Sequence, residues 1–220
     1  MKVWKILGRN RRCCHGGVGR WPPPGEWLEV TGPLKMCHHG LHLCREQDLL
    51  QWLNSEIWEA EYKGEIIKDG DKVCARRARL TIRLDTWNER SARLLAADYA
   101  EAVLPIFERA RPNDDRPRKA IEAARAFARG EISTAATNAA AREATSVVGL
   151  AGPVRAAVSS SATAAVNTIY YNIANVTYVA ASAAYATHYA ARKAARHAAK
   201  RRQTEQLMAV LYPEEKERNG

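Results

Sequence analysis

The sequence predicts an α+β fold in which a small, mostly antiparallel α+β domain is followed by an all-α, Ala-rich helical domain. All six Trp and all five Cys lie at or before residue 87, whereas more than thirty Ala follow that point. The hydrophobic period also changes there, from about two residues to about 3.6, as expected when strands give way to helices. We therefore expect domains at residues 1–85 and 86–212, with a flexible tail at 213–220.

The first domain is predicted to consist of short strands and turns. Gly and Pro are frequent between residues 8 and 40, and this composition predicts turns rather than long elements. The clearest strand is at 73–84, because apolar and polar residues alternate along it. The predicted elements are strands at 2–7, 41–44, 57–62 and 73–84 and a short amphipathic helix at 45–53.

The second domain is predicted to contain four helices, the last in one or two pieces. Pro105 should kink or end the first helix before a further turn at 106–107, because proline breaks the helical hydrogen-bond ladder. Gly130 should follow the end of the second helix, and Ser133 should cap the start of the third. The predicted helices are at 88–103, 115–129, 133–148 and 153–211.

Charge and targeting signals limit the partners and the compartment. The net charge is +10, which favours anionic partners but does not distinguish nucleic acid from an acidic protein. Residues 1–7 are only briefly apolar and Arg9 follows soon after, so no secretory signal is predicted. The odd number of Cys is atypical of a secreted disulfide framework. We expect a cytoplasmic protein.

Residues 156–191 contain no charged side chain, although the stretch is long enough to span a bilayer. Its apolar residues are mostly Ala and it includes several Asn, so we expect helix packing and no membrane. Tyr171, Tyr178 and Tyr185 are seven residues apart, with Ala174 and Ala181 between them, which is the spacing of a coiled-coil seam. The seam is interpreted either as core packing within one chain or as the interface of a homo-oligomer.

Cys and His are concentrated in two segments of the first domain. Cys37, His42 and Cys44 lie within eight residues, and Cys13 and Cys14 precede them across the Gly-rich loop. Zinc binds thiolate and imidazole in a tetrahedral set. One interpretation is therefore a structural zinc ion, whose ligands would be Cys37, His42, Cys44 and either Cys13 or Cys14. The alternatives are buried thiols that only fill the core, and a reactive cysteine.

Arginines are predicted to share one face of the strand at 73–84. Arg77, Arg79 and Arg83 alternate with a face formed by Ala78, Leu80, Ile82 and Leu84. Such a face can bind an anionic partner, nucleic acid included. The alternative is a solvated surface on which the arginines pair with glutamates of a neighbouring strand. No Walker loop, dinucleotide-binding motif, nucleophile elbow or zincin motif is present.

Two stretches resemble known families. Residues 36–73, with the pattern Cys-x4-His-x-Cys at 37–44, resemble a small uncharacterised domain of phage proteins. Residues 97–133, which include Val103-Leu104-Pro105-Ile106-Phe107 and Asp114-Asp115-Arg116-Pro117, resemble the immunity protein family, whose helical, Ala-rich region would cover about 90–211. The chain departs from that family at Tyr99, where we expect a Cys.

The resemblances imply a phage or mobile-element protein that binds and neutralises a bacterial protein without catalysis. A homo-oligomeric assembly protein built on the Ala-rich helices is one alternative. The other is an enzyme, because a Gly-Leu-His-Leu strand, a short helix and a Glu-bearing strand loosely resemble ADP-ribosyltransferase-like toxins. In that case His42 and Glu61 would be the first catalytic candidates.

Overall fold

The computed structural model describes residues 2–70, 72–147, 149–166 and 193–213. Contacts between Cα atoms divide the chain into two units, residues 1–87 and 88–220. The first unit is built on an antiparallel sheet and the second on helices, so the predicted α+β fold class is confirmed.

The first unit contains five strands that all pair antiparallel. The strands are β1 (Val3–Leu7), β2 (Leu28–Glu29), β3 (Leu41–Leu43), β4 (Glu56–Asp69) and β5 (Lys72–Arg83). The long β4–β5 hairpin forms the centre of the sheet, and β1 pairs with β4. Both β2 and β3 pair with β5. The sequence predicted four of these strands and missed the two-residue β2.

The sheet closes on itself where β1 meets the end of β3. Trp4 and Cys44 form an antiparallel bridge, in which the Trp4 N–H donates to the Cys44 carbonyl at 2.9 Å and the Cys44 N–H donates to the Trp4 carbonyl at 2.7 Å. The strands β1, β4, β5 and β3 therefore follow one another around a small closed sheet. A closed sheet satisfies backbone groups that an open edge would leave unpaired.

Both faces of β1 are largely buried. Val3 and Leu7 belong to the main apolar cluster, together with Trp21, Leu43 and Leu80. Trp4 and Ile6, which are also buried, point to the other face of the sheet, and the strand also contacts the 3-10 helix at Glu46–Gln51. A domain of this size has a small core, and this one is built around a single curved sheet.

Two predictions for the first unit are wrong in detail. The segment predicted as an amphipathic helix at 45–53 forms the 3-10 helix, whose Asp48 is buried and pairs with Arg45 at 2.5 Å. Ile82, placed by alternation on the core face, is 59% exposed. The register of the β4–β5 pairing shifts between Ala60↔Leu80 and Trp58↔Arg83, which leaves an extra residue on β5 and interrupts the alternation of faces at this point. Leu84, on the far side of the shift, is buried again.

The second unit contains six described helices. They are α1 (Glu89–Glu101), α2 (Leu104–Ala110), α3 (Arg116–Arg129), α4 (Thr134–Thr145), α5 (Gly152–Val166) and α6 (Lys193–Leu211). As predicted, α1 and α2 are separated next to Pro105. Gly130 ends α3 in the left-handed conformation, and the Ser133 hydroxyl accepts from the Ala136 N–H at the start of α4. The third predicted helix is shorter than expected, because α4 ends at Thr145.

Tyr99 connects the first and last helices of the second unit. Its side chain is fully buried, and its hydroxyl donates to the Gln203 carbonyl of α6 at 2.7 Å. Burial raises the pKa of the Tyr99 phenol well above its usual value, and the nearby Asp98 raises it further. The neutral phenol is therefore retained as a hydrogen-bond donor. The residue at which the sequence departs from the family pattern is thus a buried contact between helices.

Candidate functional site

A cavity of about 520 Å³ lies in the first unit, between β1, β3 and the loop at 13–20. Its lining brings together both Cys and His segments that the sequence singled out. Cys13 and Cys14 reach it from the loop, and Cys37, His42 and Cys44 reach it from β3 and its flanks. The predicted metal ligands therefore all face one cavity.

The loop that covers the cavity is held by its own backbone. The Cys13 N–H donates to the Gly19 carbonyl at 2.9 Å, and the Gly17 N–H donates to the Cys14 carbonyl at 3.4 Å. Gly16 and Gly19 have φ values of 87° and 86°, in the left-handed region that glycine tolerates without steric cost. The glycines thus allow a tight turn at the mouth of the cavity.

Lys5 occupies the position of β1 that lies between two core residues. Its ammonium donates to the His42 carbonyl at 2.9 Å and lies 5.1 Å from the centre of the Trp21 ring. Burial lowers the pKa of Lys5, an effect that the neighbouring Cys44, Cys13 and Cys14 thiols partly offset. No carboxylate lies within ion-pair distance of Lys5 in the described part of the chain.

His42 is held as a neutral imidazole. Its Nε2 atom accepts a hydrogen bond from the Cys37 backbone N–H at 3.0 Å, which places the ring proton on Nδ1. Burial lowers the pKa of His42, and the cations Lys5 and Lys72 lower it further. A neutral imidazole can ligate a metal, but here the Nε2 lone pair already has a backbone donor.

The thiols are dispersed around the cavity rather than converging on one point. Cys14 Sγ donates to the Ile6 carbonyl at 3.6 Å, and burial raises the pKa of Cys14. The fifth thiol, Cys74, is buried, donates to the His39 carbonyl at 3.5 Å and does not line the cavity. Among the described residues, no group of three or more His, Cys, Asp or Glu side chains is arranged to hold a metal ion. The zinc site stays a prediction.

An aromatic pair and a cation form the far wall of the cavity. His15 meets the Trp52 ring edge-on at 5.3 Å, and its Nε2 atom lies 2.8 Å from the Trp52 carbonyl. The Lys72 ammonium lies 4.4 Å from the centre of the Trp52 ring. Lys5, Lys72, Trp21 and Trp52 were not predicted as cavity residues, because only the folded sheet brings them together.

The predicted arginine face surrounds Trp27. Arg77 and Arg79 lie 4.9 and 4.8 Å from the centre of the Trp27 ring, and Lys63 lies 4.9 Å from it. We call Trp27 and these three cations the Trp27 cluster. Acidic neighbours accompany it, since Arg79 pairs with Glu61 at 2.7 Å and Arg77 lies 3.6 Å from Glu29.

Arg83 lies outside the Trp27 cluster and pairs with Asp85 at 3.0 Å. The interpretation of this face as a partner surface stays a prediction, as does the alternative of a solvated, charge-paired surface.

Of the two catalytic candidates for the enzyme alternative, His42 lines the cavity, whereas Glu61 pairs with Arg79 and is absent from the cavity lining.

The predicted oligomer seam lies outside the described residues. Tyr171, Ala174, Tyr178, Ala181 and Tyr185 all fall between 167 and 192. In the part of the chain that the structure does describe, no helix has the length and apolar character needed to cross a membrane.

The second unit carries two kinds of basic surface. On α3, exposed cations pair with acids, as Arg118 does with Glu108 at 2.5 Å. On α6, Lys200, Arg201 and Arg202 are exposed, and no ion pair joins these three to a described carboxylate. The buried Gln203, Leu207 and Leu211 lie on the packed side of the same helix.

Comparison with known proteins identifies families for both parts of the chain. Residues 1–91 match a domain of unknown function, DUF7666; the Cys-x4-His-x-Cys pattern is not shown to characterise that domain. Neither the curated proteins nor the solved structures gave a match to the chain. Residues 83–210 match the Imm-5 like putative immunity protein model, close to the range of 90–211 expected from the sequence. The chain therefore belongs to the Imm-5 like putative immunity protein family.

Proposed function

We propose that this chain is a non-enzymatic, cytoplasmic binding protein of phage or mobile-element origin that neutralises a bacterial protein by covering it. The observation that carries the proposal is the family match, which spans 83–210 and thus nearly all of the described helical unit. An immunity protein acts through a surface complementary to its target, so no catalytic group is required. The small DUF7666 unit adds a separate module to this role.

The charge distribution on α6 supports an acidic partner protein. Lys200, Arg201 and Arg202 are consecutive and exposed, and no described carboxylate neutralises them. Exposed like charges of this kind increase the rate of association with an oppositely charged surface, and the effect weakens with salt. We therefore assign the primary contact to α6 rather than to α3, where cations such as Lys119 already pair with acids.

The proposal is tested by capture followed by a growth assay. The full chain is immobilised and incubated with bacterial lysates, and each retained polypeptide is expressed alone and together with the chain. We expect one captured polypeptide to inhibit growth when expressed alone and to lose that effect on coexpression. Growth inhibition that is unchanged by coexpression, for every captured polypeptide, would contradict the proposal.

Matched triple variants test the assigned surface. Lys200→Gln, Arg201→Gln and Arg202→Gln together remove three exposed cations from α6 that pair with no described carboxylate. Arg118→Gln, Lys119→Gln and Arg129→Gln remove the same charge from paired positions on α3. The α6 variant should weaken target binding by about tenfold or more at low salt, mainly through slower association. An equal effect of the two variants would show that total charge, and not α6, governs binding.

A further inference from the structure

We propose that the cavity of the first unit binds a small organic anion, with the acid group on the Lys5 ammonium and the apolar body between Trp21 and the Gly-rich loop. The cavity residues lie between 5 and 72, outside the range that matches the immunity family. The inference therefore concerns a ligand site of the DUF7666 unit and is independent of target neutralisation.

The position of Lys5 in β1 is the first argument. Side chains two residues apart in a strand share a face, and the neighbours of Lys5 on that face, Val3 and Leu7, are fully buried in the main apolar cluster. An ammonium directed toward a core is costly unless it is paired. Lys2, in contrast, lies near the start of the same strand, is exposed and pairs with Glu59 at 2.8 Å.

The incomplete pairing of Lys5 is the second argument. An ammonium carries three donors, and the structure gives Lys5 one acceptor, the His42 carbonyl, and one aromatic face, that of Trp21. Among the described residues, two donors remain for oxygen atoms of a ligand. A carboxylate, sulfonate or phosphate group supplies such oxygens together with the negative charge that no described residue places within ion-pair distance of Lys5.

The composition of the lining is the third argument. Among the described residues, the lining holds two further cations, Arg20 and Lys72, and no Asp or Glu. A concave surface with charges of one sign concentrates ligands of the opposite sign. The volume of about 520 Å³ falls within the range of small-molecule sites, roughly 300–1,000 Å³.

Apolar groups at the mouth favour an organic over an inorganic anion. Trp21 and Leu28 line the cavity, and Val18 on the Gly-rich loop is 93% exposed. An exposed valine on a tight glycine turn offers apolar surface to a ligand body that enters beside it.

Anilinonaphthalene sulfonate is a suitable probe, because it joins a sulfonate to an apolar ring system and fluoresces when bound. The full chain is titrated at low salt, and the neutral phenyl naphthylamine serves as the uncharged analogue. We expect Lys5→Met to raise the Kd for the sulfonate about tenfold or more. The neutral analogue should bind both proteins equally. The control variant Lys2→Met, which removes an exposed and paired charge, should leave the Kd within about twofold.

Two checks make the result decisive. Circular dichroism verifies folding, because the probe also binds partly folded chains. If Lys5→Met does not fold, the wild-type protein is tested by displacement of the probe with benzoate and with benzyl alcohol, of which only benzoate should compete. Equal binding by wild type and Lys5→Met, equal competition by the alcohol, or binding that is lost after treatment with a zinc chelator would overturn the proposal. The growth assay tests neutralisation of the target without any added ligand. The proposal of an anion site and the proposal of target neutralisation can therefore fail independently.

Discussion

Two tryptophans of the first unit each lie next to lysine or arginine, but the two surroundings differ in charge. Around Trp27, three cations lie within 4.9 Å of the ring centre, and glutamates accompany them. Beside Trp21, Lys5 lies 5.1 Å from the ring centre with no described acid nearby. From this difference we predict that the Trp27 cluster, whose arginines pair with acids, is structural, and that Lys5 contacts the ligand proposed above.

A bound zinc ion would have the largest effect on this comparison, because its ligands would change the charge around Lys5. The prediction from the Cys and His segments is about one zinc per chain, held by thiolates whose negative charge would neutralise the Lys5 side of the cavity. Cys37→Ser should then lower the free energy of unfolding of the first unit by several kcal/mol and leave the second unit unchanged. Metal analysis of protein purified without chelator is the measurement, and protein free of zinc would reject the site.

Removal of the Trp27 ring tests whether the Trp27 cluster, whose arginines pair with glutamates, contributes to stability. Trp27→Ala should lower the free energy of unfolding by about 2–3 kcal/mol, because it removes apolar contact area and three partly exposed cation–ring contacts worth about 0.5 kcal/mol each. Trp27→Phe, which keeps an aromatic ring, should recover at least half of that loss. Chemical denaturation monitored by circular dichroism measures both. A cost below about 0.5 kcal/mol for Trp27→Ala would remove the structural role.

Replacement of Lys5 with Met should raise the free energy of unfolding, whereas replacement of Trp27 with Ala should lower it. Lys5→Met keeps the length of the side chain and removes an incompletely paired ammonium, so we expect the free energy of unfolding to rise by about 1 kcal/mol. If the free energy of unfolding of Lys5→Met is lower than that of the wild type, the hydrogen bond to His42 and the contact with Trp21 already satisfy the ammonium.

The gain from Lys5→Met should also depend on pH. Burial lowers the pKa of Lys5 from 10.5, so above the folded-state pKa the unfolded chain binds more protons than the folded one. Wild-type stability should therefore rise, relative to Lys5→Met, as the pH increases toward 10.5. Denaturation of both proteins over a pH series measures the difference. A difference that is constant with pH would contradict the burial of the ammonium.

The smallest effect on folding is expected on the arginine face. Replacement of Arg77, Arg79 and Arg83 with Ser should cost about 0.5 kcal/mol or less per position, because the ion pairs are largely exposed and such pairs contribute little. If the face contacts an anionic partner, the variant should bind the captured target more weakly at low salt. A mobility-shift assay with DNA and RNA across a salt series tests nucleic acid as that partner. If the variant binds the captured target, DNA and RNA as the wild type does, the arginine face is only a solvated sheet surface.

Local chemistry explains what the sequence could predict. The two strands of the β4–β5 hairpin, the break beside Pro105, the Ser133 cap and the end of α3 at Gly130 depend on residues close together in the chain. All were predicted, although β4 is longer than the expected 57–62. The immunity-family helices were recognised for the same reason, from short motifs at known spacing.

The candidate site required contacts between distant segments. Lys5, Trp52 and Lys72 meet at the cavity only after β3 has paired with β5. Trp27 lies about fifty residues from the arginines that surround it, so alternation along β5 identified the cations and not their aromatic partner. Ile82 was misplaced because the β4–β5 register shifts between Leu80 and Arg83, and strict alternation along one strand does not predict such a shift.

The bridge between Trp4 and Cys44 has a consequence for the order of assembly during synthesis. β1 is synthesised before the other strands of the sheet, whereas its partners are Cys44 and Glu56–Ala60. About forty further residues must therefore emerge before the bridge can form, and about fifty before β1 can pair with β4. The β4–β5 hairpin has short sequence separation and can form as soon as it is complete, whereas closure by β1 is a long-range and therefore slower step. The apolar residues of β1 are exposed throughout that interval, which makes the nascent first unit the part of the chain most dependent on protection from premature association.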